Sequence, residues 1–296
     1  MKTPKVSICI PAYKQTKYLR KTLESIVAQD FMDYEIILTD DSPEDSVRKL
    51  VSEFDLGGKL SYFKNNDKKG TPENWNEAVR RSSGEYIKIL HHDDWFSDKN
   101  SLGEFVHMLE DNPDADFAFS ASSILDNKGN LKSISFPNED NIISIKKDPR
   151  ALLLGNFIGT PSVTIYRRSV NRNFNPDLKW LVDIDFYIRA LRQNRSFACC
   201  SIPLVCITTG ADSQVTAECS DNKRIQVFEW IYLYKKYYKR VLPNFSNIKF
   251  LWKLFDMHEM RTIKEIINTG HEYPIPHYVR IVIGLLKIKE IIKKRI

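Results

Sequence analysis

The first half of the chain alternates short apolar runs with amphipathic segments, and this alternation restricts the fold more than any other feature. Four runs rich in Ile, Val, Leu, Tyr and Phe predict buried β-strands, because each has the length of a strand and ends at polar turn residues. These runs are Val6–Ile10, Glu35–Leu38, Leu60–Phe63 and Tyr86–Leu90. The segments between them predict helices, and strands that alternate with helices form mainly parallel sheets covered on both faces. The sequence therefore predicts an α/β fold.

The pattern changes after about residue 115. Up to that point turn residues separate the elements, as at Ser42 and Asp45, which predict the capped start of a helix to about Phe54. Beyond it, Phe117–Leu125 and Leu131–Phe136 flank a polar turn segment, which predicts a β-hairpin. Mixed segments follow, and from residue 218 the pattern is helical almost to the end. We find no internal repeat.

Positive charge is concentrated near the C-terminus. From residue 222 to the end the sequence holds 16 Lys and Arg against 6 Asp and Glu, whereas the whole chain holds 44 against 38. Nucleic-acid-binding proteins usually carry basic charge on the recognition domain itself, together with aromatic or motif signals. We therefore expect no nucleic-acid partner.

The last segment, Tyr278–Lys294, has the pattern of a cationic amphipathic helix. Its apolar stripe consists of Ile281, Leu285, Ile288 and Ile292, and lysines follow on other faces. Two interpretations stay open. The helix could lie on an anionic membrane surface, or it could pack its stripe on the body and leave its lysines in water.

Several classes of protein are not indicated by the sequence. The N-terminal residues pass into the first strand without the apolar core of a secretory signal, and the apolar run Ile281–Leu286 is too short to span a membrane. The five cysteines include an adjacent pair and no C-x-x-C spacing, which predicts reduced core residues. P-loop and dinucleotide-binding fingerprints are also missing from the sequence. We expect a cytoplasmic protein. Whether it also contacts the inner face of the cell membrane stays open.

Acidic side chains follow two of the predicted strands at their carboxyl ends. Asp40–Asp41 follow the second strand and His91–Asp94 follow the fourth. Open α/β sheets bind ligands at this edge, and carboxylates crowded there repel each other unless a cation neutralises them. Carboxylate oxygens suit Mg²⁺ or Mn²⁺. A turn or a helix cap is the alternative for either pair taken alone.

Four blocks of the sequence together resemble the family-2 glycosyltransferases of bacterial cell-surface polysaccharide synthesis, which have the GT-A fold. The blocks are Val6–Tyr13, Leu23–Gln29, Tyr34–Ser42 and Gly84–Trp95, in the order and spacing of that family. The resemblance extends over roughly residues 5–210. It implies a nucleoside-diphosphate-sugar donor, a Mg²⁺ or Mn²⁺ cofactor, and a saccharide or lipid-linked saccharide acceptor.

The resemblance also implies two parts in the chain. A GT-A glycosyltransferase domain would occupy residues 1–217, with a nucleotide-binding half over about 1–115 and an acceptor half over about 116–217. A helical, basic C-terminal extension would occupy residues 218–296.

By the same resemblance, specific residues acquire expected roles. The nucleotide-binding residues would be Pro11, Ala12, Tyr13, Asp41, Asn76 and Asp93. Asp93 matches the second aspartate of the family's D-x-D metal motif, so it would be the principal metal ligand. His91 replaces the first aspartate, and His91 and Asp94 are further candidate ligands. Trp75 stands where many relatives have an arginine, and we expect it to pack in the core.

The block Leu181–Arg189 resembles the family's acidic block at the start of a helix, which implies Asp183 as the catalytic base. Asp183 and Asp185 would lie in a first helical turn, where the helix dipole favours carboxylates. They diverge by about 200° around a helix, so only one of them can face a given cleft. Helix capping is the alternative role for both.

These expectations combine into an inverting glycosyltransferase that works by metal-assisted single displacement. Retention would require a second carboxylate nucleophile or a front-face route, and the sequence indicates neither. Two alternatives remain. One is a non-catalytic, membrane-associated protein that binds nucleotide sugars. The other is a sugar nucleotidyltransferase, although the glycine-rich loop which that class needs after its first strand is missing here.

Overall fold

The computed structural model describes residues 3–170, 173–209, 219, 222–239, 241–272 and 274–293. Two compact units account for the chain. The first unit comprises Met1–Pro149, Phe157–Asp177 and Asp185–Ala211. The second unit comprises Arg150–Asn156, Leu178–Ile184 and Asp212–Ile296. The boundary expected between residues 217 and 218 lies outside the described residues and stays a prediction.

A nine-stranded sheet forms the centre of the first unit within the described residues. Its strands are β1 (Val6–Ala12), β2 (Tyr34–Asp40), β3 (Leu60–Lys64), β4 (Tyr86–Ile89), β5 (Asp94–Phe96), β6 (Phe117–Leu125), β7 (Leu131–Ser135), β8 (Thr164–Arg167) and β9 (Phe197–Thr208). The order across the sheet is β3-β2-β1-β4-β8-β6-β9-β5, and β7 pairs with β6. The pairs among β1 to β4 are all parallel, whereas β4–β8, β6–β8 and β5–β9 are antiparallel.

The helices follow the strands along the chain. They are α1 (Thr16–Val27), α2 (Ser46–Val51), α3 (Glu73–Arg81), α4 (Ser101–Glu110), α5 (Glu139–Lys147), α6 (Val182–Gln193), α7 (Lys223–Tyr237), α8 (Phe245–Met257), α9 (Ile263–Asn268) and α10 (His277–Lys293). Short 3₁₀ segments lie at Pro149–Leu154, Pro161–Val163 and Arg168–Val170. Helix α3 packs on β1 and β2, and α4 packs on β6 and β9.

The register of the parallel strands aligns their carboxyl ends. Ala12 at the end of β1 lies opposite Asp40 of β2, and Asp40 lies opposite Lys64 of β3. Every residue of β1 is buried, as expected for a central strand covered on both faces. The α/β prediction is confirmed, and the carboxyl ends of these strands meet at one edge of the sheet.

The expected hairpin is present as β6 and β7, and its turn is closed by the Asp126 amide, which donates to the Asn130 carbonyl at 2.9 Å. The expected helix after β2 is shorter than the pattern predicted. It begins at Ser46 and ends at Val51, because the Ser42 amide donates to the Asp40 carboxylate instead of entering a helix. The cap at Ser42 and Asp45 was therefore a wrong prediction.

Helices α7 to α10 form most of the second unit. Trp230 of α7 packs edge-on against Phe250 of α8, with ring centroids 4.6 Å apart. Along α10, the side chains of Val279, Val282 and Leu286 are fully buried. No helix in the described residues is both long enough and apolar enough to cross a membrane.

The apolar stripe predicted on the last helix faces solvent. Ile281 is 61% exposed and Ile288 is 54% exposed, and Leu285 and Ile292 are exposed to a similar degree. A different face of α10 therefore makes the packing contacts. The interpretation in which the stripe packs on the body is wrong.

Candidate active site

The loop between β4 and β5 carries the group of side chains best suited to bind a metal ion. His91, Asp93 and Asp94 each offer one ligand atom, and these atoms lie within 4.8 Å of one another. The His91 Nδ1 atom lies 3.7 Å from an Asp94 carboxylate oxygen. The His91 Nε2 atom is buried and has no hydrogen-bond partner. A buried polar atom without a partner is costly, so this donor set fits a divalent cation that would satisfy it.

The backbone of this loop is anchored from three directions. The Thr22 hydroxyl of α1 donates to the Asp94 carbonyl at 2.8 Å, and the His91 amide donates to the Ser162 hydroxyl at 2.9 Å. The His92 imidazole donates to the Pro11 carbonyl at 3.1 Å. The loop is thus tied both to α1 and to the end of β1. Such anchoring holds the ligand atoms in place before any ligand arrives.

Burial controls the protonation of this candidate metal-binding group. Burial lowers the pKa of His91 to about 4, so its imidazole is neutral and able to coordinate a cation. Burial, and then the neighbouring Asp93 carboxylate, raise the pKa of Asp94 well above its ordinary value. Two carboxylates so close together repel, and a divalent ion removes that repulsion. The electrostatics of the group therefore favour a cation.

Lys88 lies directly behind this group, and sequence reasoning did not single it out. It is fully buried in β4, and its ammonium donates to the carbonyls of Ile89 and Ser162. Burial lowers the pKa of Lys88 to about 7. A charged residue inside an otherwise apolar strand was the available signal, because lysine is almost never fully buried without partners.

Trp75 is half-buried and packs against the candidate metal-binding group, not in the core as expected. Its ring centroid lies 4.7 Å from that of His91 and 5.2 Å from that of Phe174. Asn76, the next residue, exchanges two hydrogen bonds with the backbone of Phe174, at 2.9 and 2.7 Å. The Asn76 amide therefore holds Phe174, which in turn supports Trp75 and the imidazole ring. Direct nucleotide binding by Asn76 stays a prediction.

The carboxylates of Asp40 and Asp41 have different hydrogen-bond partners, although the two residues are adjacent in sequence. The Asp40 carboxylate accepts from the Tyr62 hydroxyl at 2.7 Å and from the Lys64 ammonium at 3.1 Å. The Asp41 carboxylate accepts from the Asn65 amide at 2.6 Å and from the Gly70 amide at 2.7 Å. Asp40 thus closes the strand edge. Asp41 holds the loop that follows β3.

Pro11, Ala12 and Tyr13 lie where β1 ends. Pro11 and Ala12 are buried, and the Ala12 carbonyl accepts from the Asp41 amide at 3.0 Å. The half-buried Tyr13 ring has the Lys68 ammonium 4.4 Å and the Lys14 ammonium 5.3 Å from its centroid. The structure therefore brings the β1 end, Asp41 and two cationic side chains together. A positive rim of this kind attracts an anionic ligand.

Asp183 belongs to the second unit and lies in the first turn of α6. Its carboxylate accepts from the Asn156 amide at 2.5 Å and from the Ile184 amide at 2.8 Å. Burial raises the pKa of Asp183 from 3.8 to about 7, and the Glu229 carboxylate adds to the rise. Asp185, by contrast, is fully buried and forms an ion pair with Arg189 at 2.8 Å. Of these two carboxylates, Asp183 has the properties of a general base near neutral pH.

Glu229 of α7 supports the segment that leads to Asp183, and no pattern in the sequence singled it out. Its carboxylate accepts hydrogen bonds from the backbone amides of Lys179, Trp180 and Leu181, at distances between 2.7 and 3.2 Å. The side chain is 3% exposed. A buried carboxylate that binds three successive amides fixes the backbone just before α6, and so fixes the position of Asp183.

A protein-family model described as Glycosyl transferase family 2 matches residues 7–174. An uncharacterized glycosyltransferase of Methanocaldococcus jannaschii is 28% identical over 201 residues, which cover 67% of this chain and 68% of that protein. The GalNAc(5)-diNAcBac-PP-undecaprenol beta-1,3-glucosyltransferase of Campylobacter jejuni is 36% identical over 93 residues, which cover 31% of this chain and 30% of that protein. An uncharacterized glycosyltransferase of Rickettsia felis is matched over 32% of its length.

Two solved structures share the fold. TarS 1-349 of S. aureus in complex with UDP-GlcNAc superposes with a TM-score of 0.65 at 17% identity, covering 90% of this chain and 76% of that chain. The mannosyltransferase PcManGT of Pyrobaculum calidifontis in complex with GDP-Man and Mn²⁺ gives a TM-score of 0.57 at 12% identity, covering 98% and 88%. At these identities the likeness shows the fold alone.

Proposed function

The chain belongs to glycosyl transferase family 2 and has the GT-A fold, and from this premise we propose that it transfers a sugar from a nucleoside-diphosphate sugar to a hydroxyl of a saccharide acceptor. The observation that carries the proposal is the grouping of His91, Asp93 and Asp94 within 4.8 Å at the carboxyl end of β4. Such a group suits a divalent cation, and a divalent cation suits the diphosphate of the donor.

Asp93 is proposed as the principal metal ligand, with His91 and Asp94 beside it and Mg²⁺ or Mn²⁺ as the ion. Support comes from the partnerless His91 Nε2 atom and from the mutual repulsion of the two carboxylates. When bound, such an ion stabilises the negative charge that develops on the departing diphosphate. Imidazole is a better ligand for Mn²⁺ than for Mg²⁺.

The nucleoside of the donor is proposed to bind where β1 ends, along Pro11, Ala12 and Tyr13. Asp41 would hydrogen-bond the base, using acceptor capacity beyond its bonds to Asn65, Lys69 and Gly70. The lysines beside Tyr13 favour a phosphorylated ligand. Asn76 would act through Phe174 and Trp75 on the group around His91.

Asp183 is proposed as the catalytic base. Its carboxylate takes the proton from the acceptor hydroxyl while that oxygen forms a bond to the anomeric carbon. The bond between the anomeric carbon and the diphosphate oxygen breaks, and its electron pair leaves with the nucleoside diphosphate. A single displacement of this kind inverts the anomeric configuration. A base with a pKa of about 7 is well matched to neutral pH, and general base catalysis typically contributes ~10²–10⁴-fold.

A lipid-linked saccharide is proposed as the acceptor, in the synthesis of a cell-surface polysaccharide. The support is the Campylobacter jejuni relative, whose name specifies an undecaprenol-linked saccharide. A lipid-linked acceptor places the reaction at a membrane, and we propose the cytoplasmic face as its location.

The test is a turnover assay with UDP, GDP and dTDP sugars, each with Mn²⁺ or Mg²⁺ and with polyprenyl-diphosphate saccharides as acceptors. We expect release of one nucleoside diphosphate and formation of a product of inverted configuration by NMR. A retained configuration would contradict the single displacement. Nucleotide binding without turnover on any donor would favour the non-catalytic alternative.

A further inference from the structure

Exposed apolar side chains are concentrated in the second unit. Among the described residues, fifteen large apolar side chains are exposed, and nine of them lie between residues 241 and 292. These nine are Val241, Leu242, Phe245, Met257, Ile281, Leu285, Ile288, Ile291 and Ile292. A contiguous apolar surface on a protein usually marks an interaction site.

The stripe on α10 is bordered by basic residues on both edges. Ile281, Leu285 and Ile288 recur at helical spacing and share one face. Arg280 and Lys287 are exposed along one edge of that face, and Lys289 lies along the other edge. The exposed side chains of Arg280 and Lys287 can reach the headgroups of a bilayer while their apolar neighbours enter its apolar layer, whereas the half-buried Lys289 is paired with Asp256.

Helix α8 continues this surface. Phe245, Lys249, Lys253 and Met257 recur every fourth residue on its exposed face, and Phe245 is 81% exposed. The junction with α10 is made by the Lys289 ammonium, 2.6 Å from the Asp256 carboxylate and 5.8 Å from the Trp252 ring centroid. Lys249, Trp252, Lys253, Asp256 and Met257 together line a shallow depression. Both helices therefore present apolar and basic side chains on one surface.

We infer that this two-helix face is the surface by which the protein binds an anionic phospholipid bilayer. The face consists of Phe245, Lys249, Trp252, Lys253 and Met257 of α8 with Arg280, Ile281, Leu285, Lys287, Ile288, Lys289 and Ile292 of α10. Apolar side chains bordered by lysine and arginine match the apolar layer and the negative headgroups of such a bilayer. A second copy of the same face is disfavoured, because it would set basic residues against basic residues.

This inference deepens the proposed membrane location, and it can be tested without donor or acceptor. The full chain is sedimented with vesicles of phosphatidylcholine, with or without phosphatidylglycerol. We expect binding to the vesicles that contain phosphatidylglycerol, little binding to phosphatidylcholine alone, and weaker binding at high salt. A blue shift of tryptophan fluorescence on vesicle binding, reduced in Trp252→Phe, would place α8 at the bilayer.

Matched variants distinguish vesicle binding through this face from nonspecific binding by other exposed side chains. The double variant Leu285→Glu, Ile288→Glu is expected to weaken vesicle binding by at least about tenfold, because it places charge in the apolar layer. Ile134→Glu on β7 is the control, since Ile134 is 56% exposed but lies in the first unit. Lys249→Glu with Lys253→Glu should abolish the preference for phosphatidylglycerol, whereas Lys128→Glu with Lys132→Glu should not.

Three results would overturn the inference. The wild-type chain could fail to bind either vesicle, or the Leu285 and Ile288 variant could bind as the wild type does. The third is a concentration-dependent dimer, measured by light scattering, that the α10 variant dissociates while vesicle binding is unchanged. None of these results bears on sugar transfer, so the proposed reaction would stand or fall separately.

Discussion

The loop around His91 and the segment before Asp183 hold their carboxylates by different means. The first is anchored by neighbours of the sheet, through Thr22, Ser162 and the end of β1. The second depends on Glu229, a residue from a later helix that binds three backbone amides. The first site keeps two carboxylates close together, which favours a cation. The second keeps one carboxylate in a buried environment, which raises its pKa to about 7. Under the proposed function, the same side-chain type serves two chemistries because its surroundings differ.

The largest effect should come from the base. Asp183→Asn keeps the size of the side chain and removes the proton acceptor, so kcat should fall by about 10²–10⁴-fold while nucleotide affinity is unchanged. Steady-state kinetics and calorimetry measure the two quantities. Asp111→Asn, at an exposed position at the end of α4, is the control. Wild-type turnover by Asp183→Asn would remove this residue from the base role.

Substitution of His91 should change the preference of the proposed cation site for Mn²⁺ over Mg²⁺. His91→Asp exchanges an imidazole for the carboxylate that the family usually has at this position. The ratio of Mn²⁺ affinity to Mg²⁺ affinity, measured by titration with UDP or GDP present, should fall about tenfold. His107→Asp, on the exposed face of α4, should leave the ratio unchanged. An unaltered ratio in His91→Asp would show that the imidazole does not coordinate the ion.

The pH profile tests whether Glu229 acts through Asp183. Activity requires the ionised base, so kcat should rise with pH through about 7 in the wild type. Glu229→Gln removes a neighbouring negative charge that raises the Asp183 pKa, and the profile should move to lower pH by less than about one unit. Glu229→Asp should restore part of the original profile. A reduced kcat with an unshifted profile would indicate a purely structural role for Glu229.

The smallest effect concerns stability. The folded pKa of Asp183 lies above its ordinary value of 3.8, so the stability this group contributes is present below about pH 4 and is lost as the pH rises to about 7. Asp183→Asn should therefore raise Tm at pH 8, by about 2–4 °C, and not at pH 4. Calorimetry at both pH values is the measurement. An equal gain at both would contradict the origin of the pKa in burial.

Local patterns in the sequence were sufficient to predict the strands β1 to β4 of the first unit. Apolar runs and the turn residues that follow them identified β1 to β4. The carboxyl ends of parallel strands necessarily share one edge of the sheet. The group His91–Asp94 could be singled out from its place at a strand end, but the specific roles expected of Asp93 and Asp183 came from resemblance to a family. Their surroundings depend on contacts between residues far apart in the sequence, and no local pattern encodes those contacts. Two examples are the packing of Trp75 against His91 and the hydrogen bond from the Leu181 amide to the Glu229 carboxylate.

The sequence also could not predict which apolar side chains of α10 are exposed to solvent. The stripe on α10 has the same periodicity whether it packs or faces solvent, because both states need an amphipathic helix. Only the structure shows that Val282 and Leu286 are buried while Ile281 and Leu285 are exposed.

The proposed reaction depends on His91, Asp93 and Asp94 binding a divalent cation together with the diphosphate of a nucleotide. Its most direct test is calorimetric titration of Mn²⁺ into the chain with and without UDP or GDP, for the wild type and for Asp93→Asn. We expect one Mn²⁺ site, bound more tightly when the nucleotide is present and weakened at least about tenfold in Asp93→Asn. Equal Mn²⁺ affinity in both proteins, unaffected by nucleotide, would contradict a shared site for the cation and the diphosphate.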